Sequence, residues 1–134
     1  MLKQHRASLP VLCAAVVLVM AACGGSDDSD GPDVVVGSFG FGESEILGEI
    51  YTQGLNSAGF AATHRAQIGS REVVKPQLEA GTIGFVPEYV GSALEVGFGR
   101  APESDAERVR QTLAEAFAPA GVTVLDLAPV EVTN

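Results

Sequence analysis

The architecture of this chain follows from residues 33–55, which read DVVVGSFGFGESEILGEIYTQGL. Three consecutive valines at 34–36 are typical of a strand buried on both faces of a parallel sheet. A glycine-rich turn over 38–42 follows, and apolar residues then recur at helical spacing. We predict a helix that buries one apolar stripe and is capped by Gly59. The stripe consists of Ile46, Leu47, Ile50, Tyr51, Leu55 and Ala58.

The rest of the chain continues this alternation of strands and helices. Further strands are predicted over 60–68, 83–86 and 122–127, with helices over 70–80 and 89–96. Pro76 lies inside the first of these helices, which predicts a break there and a second helix opening at the proline. The order β-α-β-α-β-α-α-β predicts an α/β fold in which helices flank a mostly parallel sheet.

The last helix carries the strongest local signals in the chain. Ser104-Asp105-Ala106-Glu107 reads as a capping box in which Ser104 caps the helix. Its apolar stripe is Val109, Leu113, Ala116 and Phe117, and Pro119-Ala120-Gly121 ends it. Ligands of such folds bind outside the carboxyl ends of the strands, so the loops over 38–42 and 87–92 are the candidate binding loops.

Composition limits the classes of function that the chain can serve. Its 134 residues form one domain at most, and 46% hydrophobic with 19% charged residues indicates a globular protein. There are 17 acidic and 8 basic residues, for a net charge of −9. A surface this acidic repels phosphate backbones, so nucleic acids are excluded as partners.

The N-terminus reads as an export signal. Basic residues precede an apolar run over 9–22 that is too short to span a bilayer, which predicts a signal peptide over 1–22. Met20-Ala21-Ala22-Cys23 resembles the lipobox of bacterial lipoproteins, in which Cys23 would be acylated and become the new N-terminus. An ordinary signal peptide followed by a chance cysteine is the alternative. Residues 23–32 would be a flexible acidic tether, which predicts a lipid-anchored protein on the extracytoplasmic face.

Residues suited to catalysis are scarce after the signal. His64 is then the only histidine, and we predict that it is a surface residue of the second strand. No second histidine or free cysteine accompanies it for a nucleophile pair or a zinc site. The residues therefore predict neither an enzyme nor a metal or other cofactor.

The glycine loop fails as a phosphate cradle. Gly37 and Gly42 have the spacing of a P-loop, but Glu43 stands where lysine is needed, and its carboxylate would repel a phosphate. Two interpretations of the glycine loop stay open. It is a tight turn that needs the backbone dihedrals of glycine, or the backbone amides at the start of the helix bind a neutral or zwitterionic ligand.

In the second loop, the Tyr89 ring could attract a cation and the Ser92 hydroxyl a carboxylate, although both residues also occur at helix starts for structural reasons alone. Tyr51 is predicted to lie in the core.

Several segments together resemble the osmoprotectant-binding proteins of ABC importers, which capture glycine betaine, choline and related quaternary amines. They are Val-Val-Val-Gly-Ser at 34–38, Glu43-Ser44-Glu45-Ile46-Leu47, Ile50-Tyr51, Ile68-Gly69-Ser70-Arg71-Glu72-Val73, Leu78-Glu79-Ala80-Gly81, Val86-Pro87-Glu88-Tyr89-Val90-Gly91-Ser92-Ala93-Leu94 and Val124-Leu125-Asp126-Leu127-Ala128-Pro129. These matches run in order along nearly the whole chain after the signal.

The resemblance implies a two-lobed clamshell of the type II periplasmic kind, with an aromatic box that closes around the ammonium group. Carried over by position, Tyr89 is a tyrosine of the box and Ser92 lies near the ligand's carboxylate. Ser38 and Phe39 belong to a loop that also faces the cleft. The implied partners are a quaternary amine, the permease subunits of the importer and the membrane through the lipid anchor.

Two departures accompany the resemblance. Phe39-Gly40-Phe41 stands where some relatives have Lys-Asn-Phe, so a carboxylate-binding lysine is missing, which favours choline-like ligands. Members of the family also carry a second lobe, so residues 33–134 are expected to form an incomplete N-terminal lobe. The competing hypothesis is a surface lipoprotein with a structural or interaction role and no transport ligand.

Overall fold

Two parallel strands and four helices make up the part of the chain that is described, residues 31–101 and 103–129 of a computed structural model. The elements are β1 (Asp33–Gly37), α1 (Gly42–Ser57), β2 (Ala61–Arg65), α2 (Arg71–Glu79), α3 (Val90–Phe98) and α4 (Ala106–Phe117), with a 3₁₀ turn over Ala118–Ala120. The predicted signal peptide, Cys23 and most of the tether lie outside these residues. Within them, the helices are too short or too polar to cross a membrane.

The sheet is parallel, as the valine run predicts. β1 pairs with β2 in a register that sets Asp33 beside Ala61 and Gly37 beside Arg65. On the other side of β1, the predicted third strand is reduced to one parallel bridge between Val36 and Phe85. The N–H groups of Gly84 and Phe85 both donate to the carbonyl of Val35, at 2.8 and 3.1 Å. This shared acceptor breaks the regular ladder, as glycine in a strand often does. The α/β class with a parallel sheet flanked by helices is confirmed.

The predicted fourth strand, over 122–127, is wrong. These residues pair with no strand in the described part of the chain. Val122 and Val124 instead pack on the apolar cluster between α3 and α4. Val122 and Val124 are thus covered as they would be in a strand, but by helices and not by a neighbouring strand.

α1 ends as predicted but buries a different face. Gly59 follows it with a φ of 91°, as a helix-terminating glycine should. The buried residues of the helix are Ser44, Gly48 and Thr52, whereas Ile46 and Ile50 are 63% and 58% exposed. Small residues at every fourth position let the helix approach β2 closely. Ile46 and Ile50 are turned away, and Leu47 and Leu55 are half-buried.

Tyr51 is not a core residue. It is 37% exposed, and its ring packs against Phe85 with the centroids 4.9 Å apart. The prediction failed because it depended on the wrong face of α1.

α2 runs through Pro76 without the predicted break. The proline removes only the bond that its N–H would donate to the carbonyl of Glu72. Both residues are exposed, so water can hydrate that carbonyl. The ladder resumes at once, because the N–H of Ala80 donates to the carbonyl of Pro76 at 3.0 Å.

α4 confirms the predicted stripe and corrects the cap. Val109, Leu113 and Phe117 are buried. Asp105, and not Ser104, caps the helix, since its carboxylate accepts from the N–H of Arg108 at 3.0 Å. The helix therefore begins one residue later than the capping box predicts.

Most of the buried apolar side chains in the described residues fall into two clusters. Phe39, Val74 and Ile83 form one of them, at the carboxyl end of β1. The other lies between α3 and α4 and contains Ala93, Leu94, Val109, Leu113 and Phe117. Lys75 of α2 reaches the second cluster, because its ammonium lies 4.7 Å from the centre of the Phe98 ring. The same ammonium lies 2.6 Å from the carboxylate of Glu79 in its own helix.

Candidate functional site

The candidate site lies where β1 ends and the chain enters the glycine loop. Ser38 and Phe39 follow β1 directly, and Phe85 leads into the segment that carries Tyr89. Both predicted binding loops therefore start from the same edge of the sheet, as parallel strands require.

Ser38 is fully buried and hydrogen-bonded on all sides. Its hydroxyl lies 3.0 Å from Nε2 of His64 and accepts from the N–H of Gln67 at 3.2 Å. Its backbone N–H donates to the carbonyl of Arg65, and its carbonyl accepts from Ile68. The Ser38 side chain thus ties β1 to the loop that follows β2. Its contact with a ligand stays a prediction.

His64 is not the surface residue that the sequence predicts. Its side chain is 11% exposed, and Nδ1 lies 3.3 Å from the carboxylate of Glu49. Ser38, His64 and Glu49 thus occur in the order hydroxyl, imidazole and carboxylate that serine hydrolases use. The hydroxyl is inaccessible, however, because Ser38 has no exposed surface. The arrangement connects β1, β2 and α1, and no substrate carbonyl can reach it.

Phe39 lies beneath the site and not on its surface. It is 3% exposed and belongs to the cluster with Val74 and Ile83. The Arg71 guanidinium lies 5.0 Å from its ring centre, and the Phe41 ring is parallel to it at 5.9 Å. The neighbours of Phe39 therefore cover much of its ring, whereas Phe41 is exposed and can present its ring to a ligand.

An open groove of about 540 Å³ runs beside these rings. It lies between the glycine loop and the start of α2, with one residue from α3. The lining residues are Phe39, Gly40, Phe41, Gly69, Ser70, Arg71, Glu72 and Val96.

Arg71 and Glu88 form a two-pronged ion pair at the end of this groove. Nε and Nη2 of Arg71 each donate to one carboxylate oxygen at 2.9 Å. The same carboxylate accepts from the N–H of Tyr89 at 2.7 Å. Burial raises the pKa of the Glu88 carboxyl, and the bonds from Arg71 and Tyr89 oppose that rise.

Tyr89 extends from the start of α3 toward the first turn of α1. Among the residues that the structure describes, its hydroxyl is the one buried side-chain polar atom with no hydrogen-bond partner. No bond of normal geometry joins it to Glu43, yet the Glu43 carboxylate is close enough to raise the pKa of the Tyr89 phenol, and burial acts in the same direction. A buried hydroxyl without a hydrogen-bond partner is uncommon in folded proteins.

The charges around Tyr89 favour a cationic ligand over an anionic one. Glu43 and Glu88 both disfavour a negative charge on the phenol, and Arg71 is neutralised by its pairing with Glu88. The face of an aromatic ring adds attraction for a cation.

The four predicted site residues do not form one cluster. Phe39 and Tyr89 are linked through Arg71 and Glu88, whereas the Ser38 side chain is bonded to His64 and Gln67. Ser92 is the third residue of α3 and is partly buried. Neither Ser92 nor Tyr89 is among the residues that line the groove. The role of Ser92, like those of the other three, stays a prediction.

Sequence reasoning missed Phe41 as an exposed ring and missed Glu43, Arg71 and Glu88 as neighbours of the rings. Arg71 and Glu88 stand inside the two segments that carry the resemblance most specifically, Gly-Ser-Arg-Glu-Val and Pro-Glu-Tyr. Opposite charges in two such segments could have suggested the pair.

A family model described as "Substrate binding domain of ABC-type glycine betaine transport system" matches residues 32–134. No curated protein matches the chain.

Proposed function

Because the chain belongs to the family of substrate-binding domains of ABC-type glycine betaine transport systems, we propose that it receives a quaternary amine of the glycine betaine or choline class through Tyr89. The fold is that of the periplasmic binding proteins, and such domains work on the extracytoplasmic side of an importer. After capture, the ligand passes to the permease subunits, whose transport is powered by a separate ATPase. The chain itself performs no catalysis in this proposal.

The position of Tyr89 supports this proposal most directly. The ring lies beyond the carboxyl ends of the strands, with the Glu43 and Glu88 carboxylates nearby. A trimethylammonium group donates no hydrogen bonds, so it is recognised by ring faces and negative charge. The absence of lysine from Phe39-Gly40-Phe41 fits choline better than a ligand that carries a carboxylate.

We expect choline to bind the chain weakly and at Tyr89. Contact with one ring contributes only ~0.5–2 kcal/mol, which corresponds to a dissociation constant of roughly tens of millimolar or weaker. Titration followed by NMR of isotope-labelled tyrosine rings measures this directly. The resonances of Tyr89 should move, whereas those of Tyr51, whose ring packs against Phe85, should stay in place.

The control ligand is the neutral isostere of choline, in which a tert-butyl group replaces trimethylammonium. It has the same shape without the charge, so it should leave Tyr89 unmoved. Equal responses to both ligands would contradict the proposal, as would choline shifts that survive in Tyr89→Ala. Micromolar binding would instead show that more rings surround the ligand than Tyr89 and Phe41.

We also propose that Cys23 carries the lipid anchor. Expressed in a bacterium with radiolabelled palmitate, the chain should incorporate label and sediment with membranes. Cys23→Ser should abolish labelling and release the protein, whereas Cys13→Ser should change neither. Label retained in Cys23→Ser would refute lipidation at this residue.

The competing function, a surface lipoprotein with an interaction role, is favoured by the exposed side of α1. Ile46 and Ile50 present apolar side chains to solvent there. Large exposed apolar residues that are adjacent on one surface often mark contact sites. The choline titration separates the two functions, because an interaction module would respond alike to choline and to its neutral isostere.

A further inference from the structure

A partly buried ion pair joins the start of α2 to the loop before α3, which carries Tyr89. Arg71 is the first residue of α2, and Glu88 lies just before α3. The paired side chains are 22% and 17% exposed. Two parallel hydrogen bonds between a guanidinium and a carboxylate fix the orientation of both groups, which a single contact does not.

We propose that Arg71 and Glu88 are positioning residues that hold Phe39 and Tyr89 in a fixed relation to each other. We call this pair the Arg71–Glu88 clasp. The inference deepens the proposed function, on which it rests, because it takes Tyr89 as the ligand-binding ring and Phe39 as the buried ring beneath the site.

Each partner of the clasp contacts one of the two aromatic residues, Arg71 through the ring of Phe39 and Glu88 through the backbone of Tyr89. The guanidinium plane of Arg71 lies over Phe39, 5.0 Å from the ring centre. The Glu88 carboxylate accepts from the backbone N–H of Tyr89 at 2.7 Å, which sets where the Tyr89 side chain leaves the chain. A change in the ion pair therefore moves both rings.

The role of the clasp is better explained by positioning than by stability. Removing two charges from water costs about as much as their attraction returns, so a partly buried ion pair adds little net stability. The raised pKa of Glu88 reflects this cost of burial. A lysine would keep the charge of Arg71 but not its planar fork, so Arg71→Lys separates geometry from charge.

The test uses Tyr89 as its own reporter. The chain contains two tyrosines and no tryptophan, so Tyr51→Phe leaves Tyr89 as the only tyrosine. In that background, Arg71→Lys should shift the NMR resonances of the labelled Tyr89 ring at neutral pH. It should also lower the pKa of the Tyr89 phenol toward its ordinary value, measured by ultraviolet titration, because a displaced ring moves away from Glu43. A purely electrostatic role predicts no change, since lysine keeps the positive charge.

The matched control is Arg110→Lys. Arg110 forms the same kind of two-pronged pair, with Glu107 on α4, and no ring lies against its guanidinium in the described residues. The clasp is refuted if Arg71→Lys leaves both readouts unchanged, or if Arg110→Lys moves them equally. Circular dichroism checks folding. If Arg71→Lys unfolds the chain, Glu88→Gln replaces it, because the amide keeps only one of the two hydrogen bonds to Arg71. Shifted resonances of the Tyr89 ring would then support the clasp, and unchanged resonances would refute it.

Neither readout involves a ligand. Failure of choline to bind would therefore leave the clasp standing, and an inert Arg71→Lys variant would leave the proposed function standing.

Discussion

Gly48→Ala is expected to destabilise the chain by about 1–3 kcal/mol, whereas Gly54→Ala in the same helix is expected to stabilise it by roughly 0.5–1 kcal/mol. A Cβ atom at Gly48 would clash with Nε2 of His64, so the helix or the ring must move. Gly54 has nothing within 4 Å of the same atom. There, alanine simply lowers the conformational entropy of the unfolded chain.

The movement at Gly48 is costly because His64 is held on both sides. Its ring lies 3.0 Å from the Ser38 hydroxyl and 3.3 Å from the Glu49 carboxylate. Displacing the ring leaves the buried hydroxyl with one partner fewer, which adds to the steric cost.

Urea unfolding followed by circular dichroism measures both glycine variants. Combining Gly48→Ala with His64→Ala should recover part of the loss, because the smaller side chain removes the clash. Equal stabilities of the two alanine variants would show that Gly48 does not face β2. The apolar stripe with Ile46 and Ile50 would then be the buried face after all.

Ile83→Ala is expected to cost about 2–5 kcal/mol, the range for truncating a fully buried isoleucine. Ile83 is 1% exposed and packs with Phe39 and Val74 at the end of β1. Native domains of this size have a total stability of only ~5–15 kcal/mol, so the variant should lose a large fraction of it. The cavity would open directly beneath Phe39.

The control for Ile83→Ala is Val73→Ala. Val73 is 47% exposed on the neighbouring helix α2, so its truncation should change stability by no more than ~0.5 kcal/mol. Both are measured by urea unfolding, where an unchanged slope shows that the native state stays compact. A loss below ~1 kcal/mol for Ile83→Ala would mean that this cluster does not support the site.

Much of the fold could be predicted because its signals are local. The valine run at 34–36 became β1, and Gly59 ended α1. The stripe of α4 is buried as expected, because an amphipathic helix with a single apolar face has one way to pack. The family, too, could be recognised from short segments in order along the chain.

The wrong predictions concern packing between segments that are far apart in the sequence. α1 has apolar residues on one side and small residues on another, and its periodicity favoured the apolar side. The strand predicted over 122–127 required a sheet edge, but its valines pack on helices. Ser104 and Asp105 are both good N-cap residues for α4, and in the structure the Asp105 carboxylate is the one that accepts the hydrogen bond from the helix start.

For the site, the sequence predicts that the loops over 38–42 and 87–92 leave the same edge of a parallel sheet. This could be predicted because the periodicity of each segment shows whether it is a strand or a helix, and their alternation makes the strands parallel. The identity of the groups around the rings came from three-dimensional packing alone. Arg71 meets Glu88, and Glu43 approaches Tyr89, across long stretches of chain. Such contacts depend on how closely the helices approach the sheet, and here small side chains at Ser44, Gly48 and Thr52 set the approach of α1. A hydrophobicity pattern records which residues avoid water, and it carries no information on where small residues allow elements to meet.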